Sequence, residues 1–325
     1  MLVACHPDFR AQAALACHRE LDHKSYWSLP IARQREVLRH HSLFTLVGLS
    51  TVSLASEPLV LDVLRQRWLA SLAALTNDVA AMLDVMRRTR AVLSGPRVLA
   101  YIDAVDTPHL PWQFIVASQG FDDFCDWLKT HEGARVDNLP SATDVFSSNP
   151  SVAGRRLFRT KNGYFDIIQS ASTNVLLPIP SYSSTALVNY ITADEICVGY
   201  PFLALRNLAL PAYHLTPRNY PAASAEIERL GYTMAQSANA AYPDYHGRCM
   251  PYGVCVRCPR FLGDGFSLMV RFGAVARPLV DVTPSMKVVG QTVAWTWGGN
   301  GCGHQHCMTR AKFIAHNSLM VYSST

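Results

Sequence analysis

Two groups of residues in this chain have types and spacings that could do chemistry. The first lies toward its C-terminal end. Cys249, Cys255 and Cys258 fall in "CMPYGVCVRC", the last two as C-x2-C, and Cys302, His304, His306 and Cys307 fall in "CGHQHC". Four soft sulfur and nitrogen ligands close a tetrahedral shell around zinc, and a C-x2-C knuckle with a distant Cys/His pair is one way to supply them. A His-x-His pair on a strand also points both rings to one face. These seven residues are therefore the candidate ligands of one structural zinc. They also fit a lobe of unligated thiols, because the second half lacks the usual ligand spacing. The second group is charged. Asp103 and Asp106 lie in "YIDAVDTP", Asp122 and Asp123 in "DDFCDWLKTH", and Asp166 in "GYFDIIQS". Arg155, Arg156, Arg159 and Lys161 lie in "GRRLFRTK". Clustered guanidinium groups could meet phosphates. Plainer roles also exist: Asp122 and Asp123 as charges at a helix N-terminus, Asp103 and Asp106 as turn formers, the basic run as a solvated turn entering a strand.

The elements that must position these residues are legible in outline. Of 325 residues, 49% are hydrophobic and 16% charged, which excludes bulk disorder and predicts a large core. The net charge of +5 is mildly basic, well short of a dedicated DNA-binding domain. Nine cysteines without a basic, apolar leader predict thiols or metal ligands, not disulfides, in a reducing, intracellular setting. The apolar run 43–55 is too short to span a bilayer. Residues 7–44 read as one or two helices. Residues 57–90 read as one long helix, capped by Ser56 and opened by Glu57 and Pro58, with Leu61, Leu64, Trp68, Leu72, Leu75, Val79, Met82 and Met86 as its apolar stripe.

After residue 90 strands and helices alternate. Residues 91–102, "AVLSGPRVLAYI", read as strand end, tight turn and helix start. Strands are expected at 112–118, 163–170, 266–273 and 291–297, and helices at 122–131, 183–192 and 220–232. The fold class predicted is α+β: a mixed sheet with flanking helices in 91–235, after a helical region 1–90 and before an irregular Cys-rich lobe 236–325. Arg87, Arg88, Arg90 and Arg97 bracket the glycine turn and are expected to share its groove. Aromatic residues near the basic ones are few in sequence, which gives little support to stacking of nucleic-acid bases. No G-x-S-x-G elbow occurs, so a hydrolase of that type is not indicated.

The succession "LSGPRVLAYI", "PWQFIV", "GYFDIIQS", "SSTALVNYIT", "VGYPFLAL", "VRCPRFLGDGFSLMVRFG" and "TVAWTWGGNGC" resembles a group of proteins of mushroom-forming fungi, which in turn resembles the nucleotidyltransferase (polymerase-β-like) superfamily. The likeness covers about residues 85–302 and lies in the order and spacing of these motifs. It implies a glycine turn whose backbone and hydroxyl meet nucleotide phosphates, followed by an Asp-x-Asp strand and a later third Asp that together hold two divalent cations. On this pattern Ser94 and Gly95 match the turn, Pro96 replaces a donor residue with one that has no N–H, and Asp166 matches the third acid. Pro111 and Gln113 stand where the acidic pair belongs, and a neutral amide cannot replace a carboxylate for Mg²⁺. The resemblance thus implies a non-catalytic nucleotidyltransferase-like protein that binds a nucleotide, a nucleic acid or a protein partner, with Ser94, Gly95, Arg97 and Gln113 as ligand-binding candidates. The alternative is an active transferase using Mg²⁺ on displaced acids, with Asp166, Asp103 and Asp106 as candidates.

Overall fold

The computed structural model describes residues 2–4, 6–105, 107, 110–137, 149–212, 219–243, 255, 260–272, 291–295, 297 and 319–323. The chain opens with strand β1 (Leu2–Ala4) and six helices: α1 (Pro7–Glu20), α2 (His23–Ser28), α3 (Ile31–Leu38), α4 (Leu43–Val52), α5 (Glu57–Leu75) and α6 (Val79–Thr89). Then follow β2 (Val92–Ser94), α7 (Pro96–Asp103), β3 (Trp112–Val116), α8 (Phe121–His131), β4 (Arg135–Asp137), β5 (Val152–Thr160), β6 (Gly163–Ser170), β7 (Asn189–Ile191) and β8 (Glu195–Val198). The rest comprises α9 (Pro201–Ala204), β9 (Leu208–Ala209), α10 (Tyr220–Arg229), β10 (Thr233–Met234), α11 (Ala238–Ala241), β11 (Arg260–Phe261), β12 (Leu268–Arg271), β13 (Gln291–Trp295) and β14 (Leu319–Ser323).

Nine strands form one mixed sheet in the order β1-β12-β8-β7-β2-β3-β6-β5-β4. Only β3 and β6 run parallel; the other neighbours are antiparallel. The α+β class with a mixed sheet and helices is therefore what the chain adopts. The sheet draws strands from all three expected segments, since β1 belongs to 1–90 and β12 to 236–325. Smaller sheets pair β10 with β9, and β11 and β14 with β13.

The expected single helix over 57–90 is two helices, bent by 99°. Thr76 takes extended dihedrals, its hydroxyl accepts the Asp78 amide N–H at 3.1 Å, and the Asp78 carboxylate accepts the Ala81 N–H at 2.9 Å. A hydroxyl and a carboxylate that satisfy backbone donors offer the chain a cap in place of another helical turn. The apolar stripe survives the bend, because Leu64, Trp68, Leu72, Leu75, Met82 and Met86 are all buried. Ser56 does not cap α5; its hydroxyl donates to Leu49 O and Ser53 O instead. Arg67, on α5, donates to the carbonyls of Leu38, Arg39 and His41 and so caps the end of α3, a cation where the helix dipole is negative.

Three further expectations are corrected. Residues 7–44 hold three helices and the start of α4. Residues 183–192 hold a single 3₁₀ turn at Thr185–Leu187, capped by Ser184, and then β7, because Asn189, Tyr190 and Ile191 complete the sheet between β2 and β8. The basic run is strand β5, joined to β6 by the two residues Lys161 and Asn162, with Gly163 at φ 131° beyond them. At the C-terminal side, buried Arg260 grips Asp264 at 2.5 and 3.0 Å and Gly199 O at 2.7 Å, between the rings of Tyr200 and Phe266. Trp295 Nε1 donates to the Tyr200 hydroxyl at 3.0 Å, so β13 is tied to the loop leaving β8.

Trp68 is 1% exposed in this packing. Trp68→Ala should lower unfolding free energy by about 3–5 kcal/mol and depress the melting temperature accordingly; calorimetry or urea denaturation reads the loss.

Candidate functional site

The centre of the sheet carries the residues that the motif order singled out. In β2, β3 and β6, Ser94 lies opposite Gln113, and Gln113 lies beside Asp166. Directly paired residues project to one face of a sheet, so Ser94, Gln113 and Asp166 stand in a row on the same side. On β5, Leu157 continues that row and Arg155, two residues before it, shares its face.

The row is a closed polar network. Arg155 Nε donates to Asp166 Oδ1 at 2.6 Å, and its terminal nitrogen to Oδ2 at 2.8 Å. Gln113 Nε2 donates to the same Oδ2 at 2.8 Å, and the Tyr182 hydroxyl donates to Gln113 Oε1 at 2.5 Å. Asp166 is 2% exposed, and the Arg155 side chain 23%. A planar guanidinium matched to a carboxylate is the strong, oriented form of an ion pair, and here it satisfies an acid that burial would otherwise make costly. Burial raises the Tyr182 phenol well above its ordinary pKa, with Ser94 opposing and Asp166 reinforcing the shift. Tyr182 is thus a neutral donor. Glu226, on α10, adds a smaller push in the same direction.

The glycine turn is filled by the protein itself. Gly95 has φ +74°, a backbone that side chains rarely adopt, and a Cβ there would lie 2.4 Å from Gln113 Oε1 and 3.5 Å from the Tyr182 hydroxyl. Ser94, fully buried, donates its hydroxyl to Asn189 O at 2.8 Å, which commits it to β7. Gln113 is therefore an internal link between Tyr182 and Asp166. Pro96 opens α7, the place in a helix where a missing N–H costs least.

The other candidates do not converge here. Arg97 donates to Leu110 O at 2.9 Å and its guanidinium lies 4.5 Å from the centre of the Trp112 ring. Arg87 pairs with Asp194 and Arg88 with Asp84, both in exposed positions. Arg156 is on the opposite face of β5, paired with Asp122 at 2.9 Å and set over the Phe121 ring. Asp103 ends α7, about 12 Å along the helix axis from Gly95, and accepts the Tyr232 hydroxyl at 3.3 Å. Asp106 lies outside the described residues, as do Cys249, Cys258, Cys302, His304, His306 and Cys307. Cys255 is half-buried, and Cys17, Cys125 and Cys197 are core residues. Among the described residues, no group of three or more His, Cys, Asp or Glu side chains is placed to hold a metal, and no single helix is long and apolar enough to cross a membrane.

Comparison with known proteins finds no matching family model, curated protein or solved structure. Sequence reasoning missed Arg155 as the partner of Asp166. The signal was partial: "RTKNGY" between two strand-like runs reads as a hairpin, but an Asn-Gly tip would have set Arg159 opposite Asp166, whereas the observed turn at Lys161 and Asn162 sets Leu157 there and Arg155 two residues away on the same face.

Burial raises the Asp103 carboxyl from 3.8 to about 7, against the hydrogen bond from Tyr232. Between about pH 4 and pH 7 the folded chain then holds a proton that the unfolded chain has released, so this group makes stability fall as pH rises through that window. Asp103→Asn should remove that loss: urea denaturation should find the variant more stable than wild type at pH 8, and the difference should shrink toward pH 4.

Proposed function

We propose that this chain is a non-catalytic protein on a nucleotidyltransferase-like architecture, and that it works by binding and not by transferring nucleotides. The observation that carries this reading is the state of Asp166. Both of its oxygens accept from Arg155, and one also accepts from Gln113. A divalent cation of the transferase type needs carboxylate oxygens free to coordinate and at least one more acid beside them. Here a fixed guanidinium supplies the positive charge, and an amide stands where the second acid would be.

The order of β2, Gly95, α7, β3 and β6 supports the architectural half of the proposal: strand, glycine turn, helix, strand, then a parallel neighbouring strand with the remaining acid. The packing of Gln113 and Tyr182 over Gly95 supports the functional half, since a nucleotide phosphate at that turn would have to displace both side chains. Of the three occupants that the resemblance implies, a nucleotide at this turn is thus the least favoured, and a nucleic acid or a protein partner on another surface is preferred. The alternative of an active enzyme with displaced acids needs a carboxylate beside Asp166; Asp103 is at the far end of α7.

Purified protein incubated with each labelled nucleoside triphosphate and Mg²⁺ or Mn²⁺ should transfer no label to itself, to RNA or to small acceptors. The same nucleotides should leave its melting temperature unchanged. Metal-dependent label transfer would overturn the proposal.

A further inference from the structure

The face of the sheet that carries Asp166 extends beyond the buried network to the β4 edge, where its character changes. Arg135 on β4 is directly opposite Arg159 on β5, and Arg159 is directly opposite Tyr164 on β6. These three side chains therefore stand in one row on one face. All three are exposed, Tyr164 by 37%. The Arg159 guanidinium lies 5.8 Å from the centre of the Tyr164 ring. Among the described residues no carboxylate pairs with Arg135 or Arg159. Like charges directly opposite each other weaken a strand pair, and among the described residues no acid relieves this one.

The next row on the same face holds Asp137, Leu157 and Asp166, about 7 Å along the strands. Asp166 is already neutralised by Arg155, and Asp137 is half-buried. Lys161, exposed at the hairpin tip, adds a third cation beside the row; its ammonium donates to Asn77 Oδ1 at 3.0 Å. Two guanidinium groups with no carboxylate partner among the described residues, beside an exposed aromatic ring on the sheet surface, match what a single nucleic-acid strand presents. Phosphates repeat along its backbone, and each base offers a flat face for stacking whatever its identity.

We propose that Arg135, Arg159 and Tyr164 form a binding face for a single nucleic-acid strand, with the arginines on successive phosphates and Tyr164 stacked on a base. This narrows the binding reading above and rests on it only in the sense that the chain acts by binding. The sequence concealed the row because its members come from three strands, and the hairpin alone brings Arg159 and Tyr164 together.

The test is fluorescence anisotropy with a labelled twelve-nucleotide oligouridylate, in EDTA, over a series of salt concentrations. EDTA separates the outcomes: metal-dependent transfer at Asp166 would refute the inert-site proposal and leave this measurement untouched. Wild type should bind with an affinity that falls as salt rises. The double variant Arg135→Ser, Arg159→Ser should bind roughly tenfold more weakly at low salt, and its salt slope should drop by about 1.4, or about 0.7 for each phosphate no longer neutralised. Arg159→Lys should keep the slope, and Tyr164→Ala should weaken binding with the slope unchanged. A double variant that melts like wild type and binds the strand equally well would overturn the proposal. So would wild-type protein that ignores the strand, whether or not it binds phosphatidylserine vesicles or polyglutamate through these arginines.

Discussion

The ion pair of Arg155 with Asp166 is the constraint around which the centre of the sheet is organised. An acid 2% exposed in the middle of a strand must have its charge met. Arg155 can do so only if β5 lies beside β6 in the observed register, and a one-residue slip would send its side chain to the other face. Gln113 then bridges Asp166 to Tyr182, which requires β3 beside β6 and the 176–187 segment folded across the row. Three separate stretches of chain are held in place by one carboxylate.

Other fixtures follow from the same hairpin. Its tip reaches the end of α5, where the Asn162 side-chain amide donates to Leu75 O at 2.9 Å and Lys161 meets Asn77. The break between α5 and α6 is thus satisfied from inside by Thr76 and Asp78 and from outside by the hairpin. Glu132, after α8, accepts the Thr76 hydroxyl and fastens the same corner. At the other end of the sheet, Arg260 repeats the device with Asp264 and Gly199 O. An arginine fork thus ties down loops on both sides of the sheet, half-buried at Arg155 and buried at Arg260.

Much of this arrangement could be read in the amino acids. The stripe from Leu61 to Met86, the strands at 112–118 and 163–170, and the turn at Gly95 depend on local periodicity and on a glycine where φ is positive. What escaped was non-local. The bend at Thr76–Asp78 depends on polar caps that look unremarkable inside an apolar stripe. The strand at 189–191 is polar enough at Asn189 and Thr192 to pass for a helix end, and only its two neighbours in the sheet make it a strand. Gln113 resembled a lost ligand in sequence; in the fold it is the buried link between a phenol and a carboxylate. The basic run resembled a solvated turn because its alternation matters only once it is laid against β6. The zinc-type spacing of Cys249, Cys255 and Cys258 belongs to residues of which only Cys255 is described.

The central claim is that the Asp166 carboxylate is held by the Arg155 guanidinium. A double-mutant cycle measures that directly. Unfolding free energies of wild type, Arg155→Met, Asp166→Asn and the double variant, taken from urea denaturation at pH 7, give the coupling between the two side chains. The account predicts that either single change is costly, that the second adds little to the first, and that the coupling is about 2–3 kcal/mol. Additive losses, with a coupling within about 0.5 kcal/mol of zero, would contradict it.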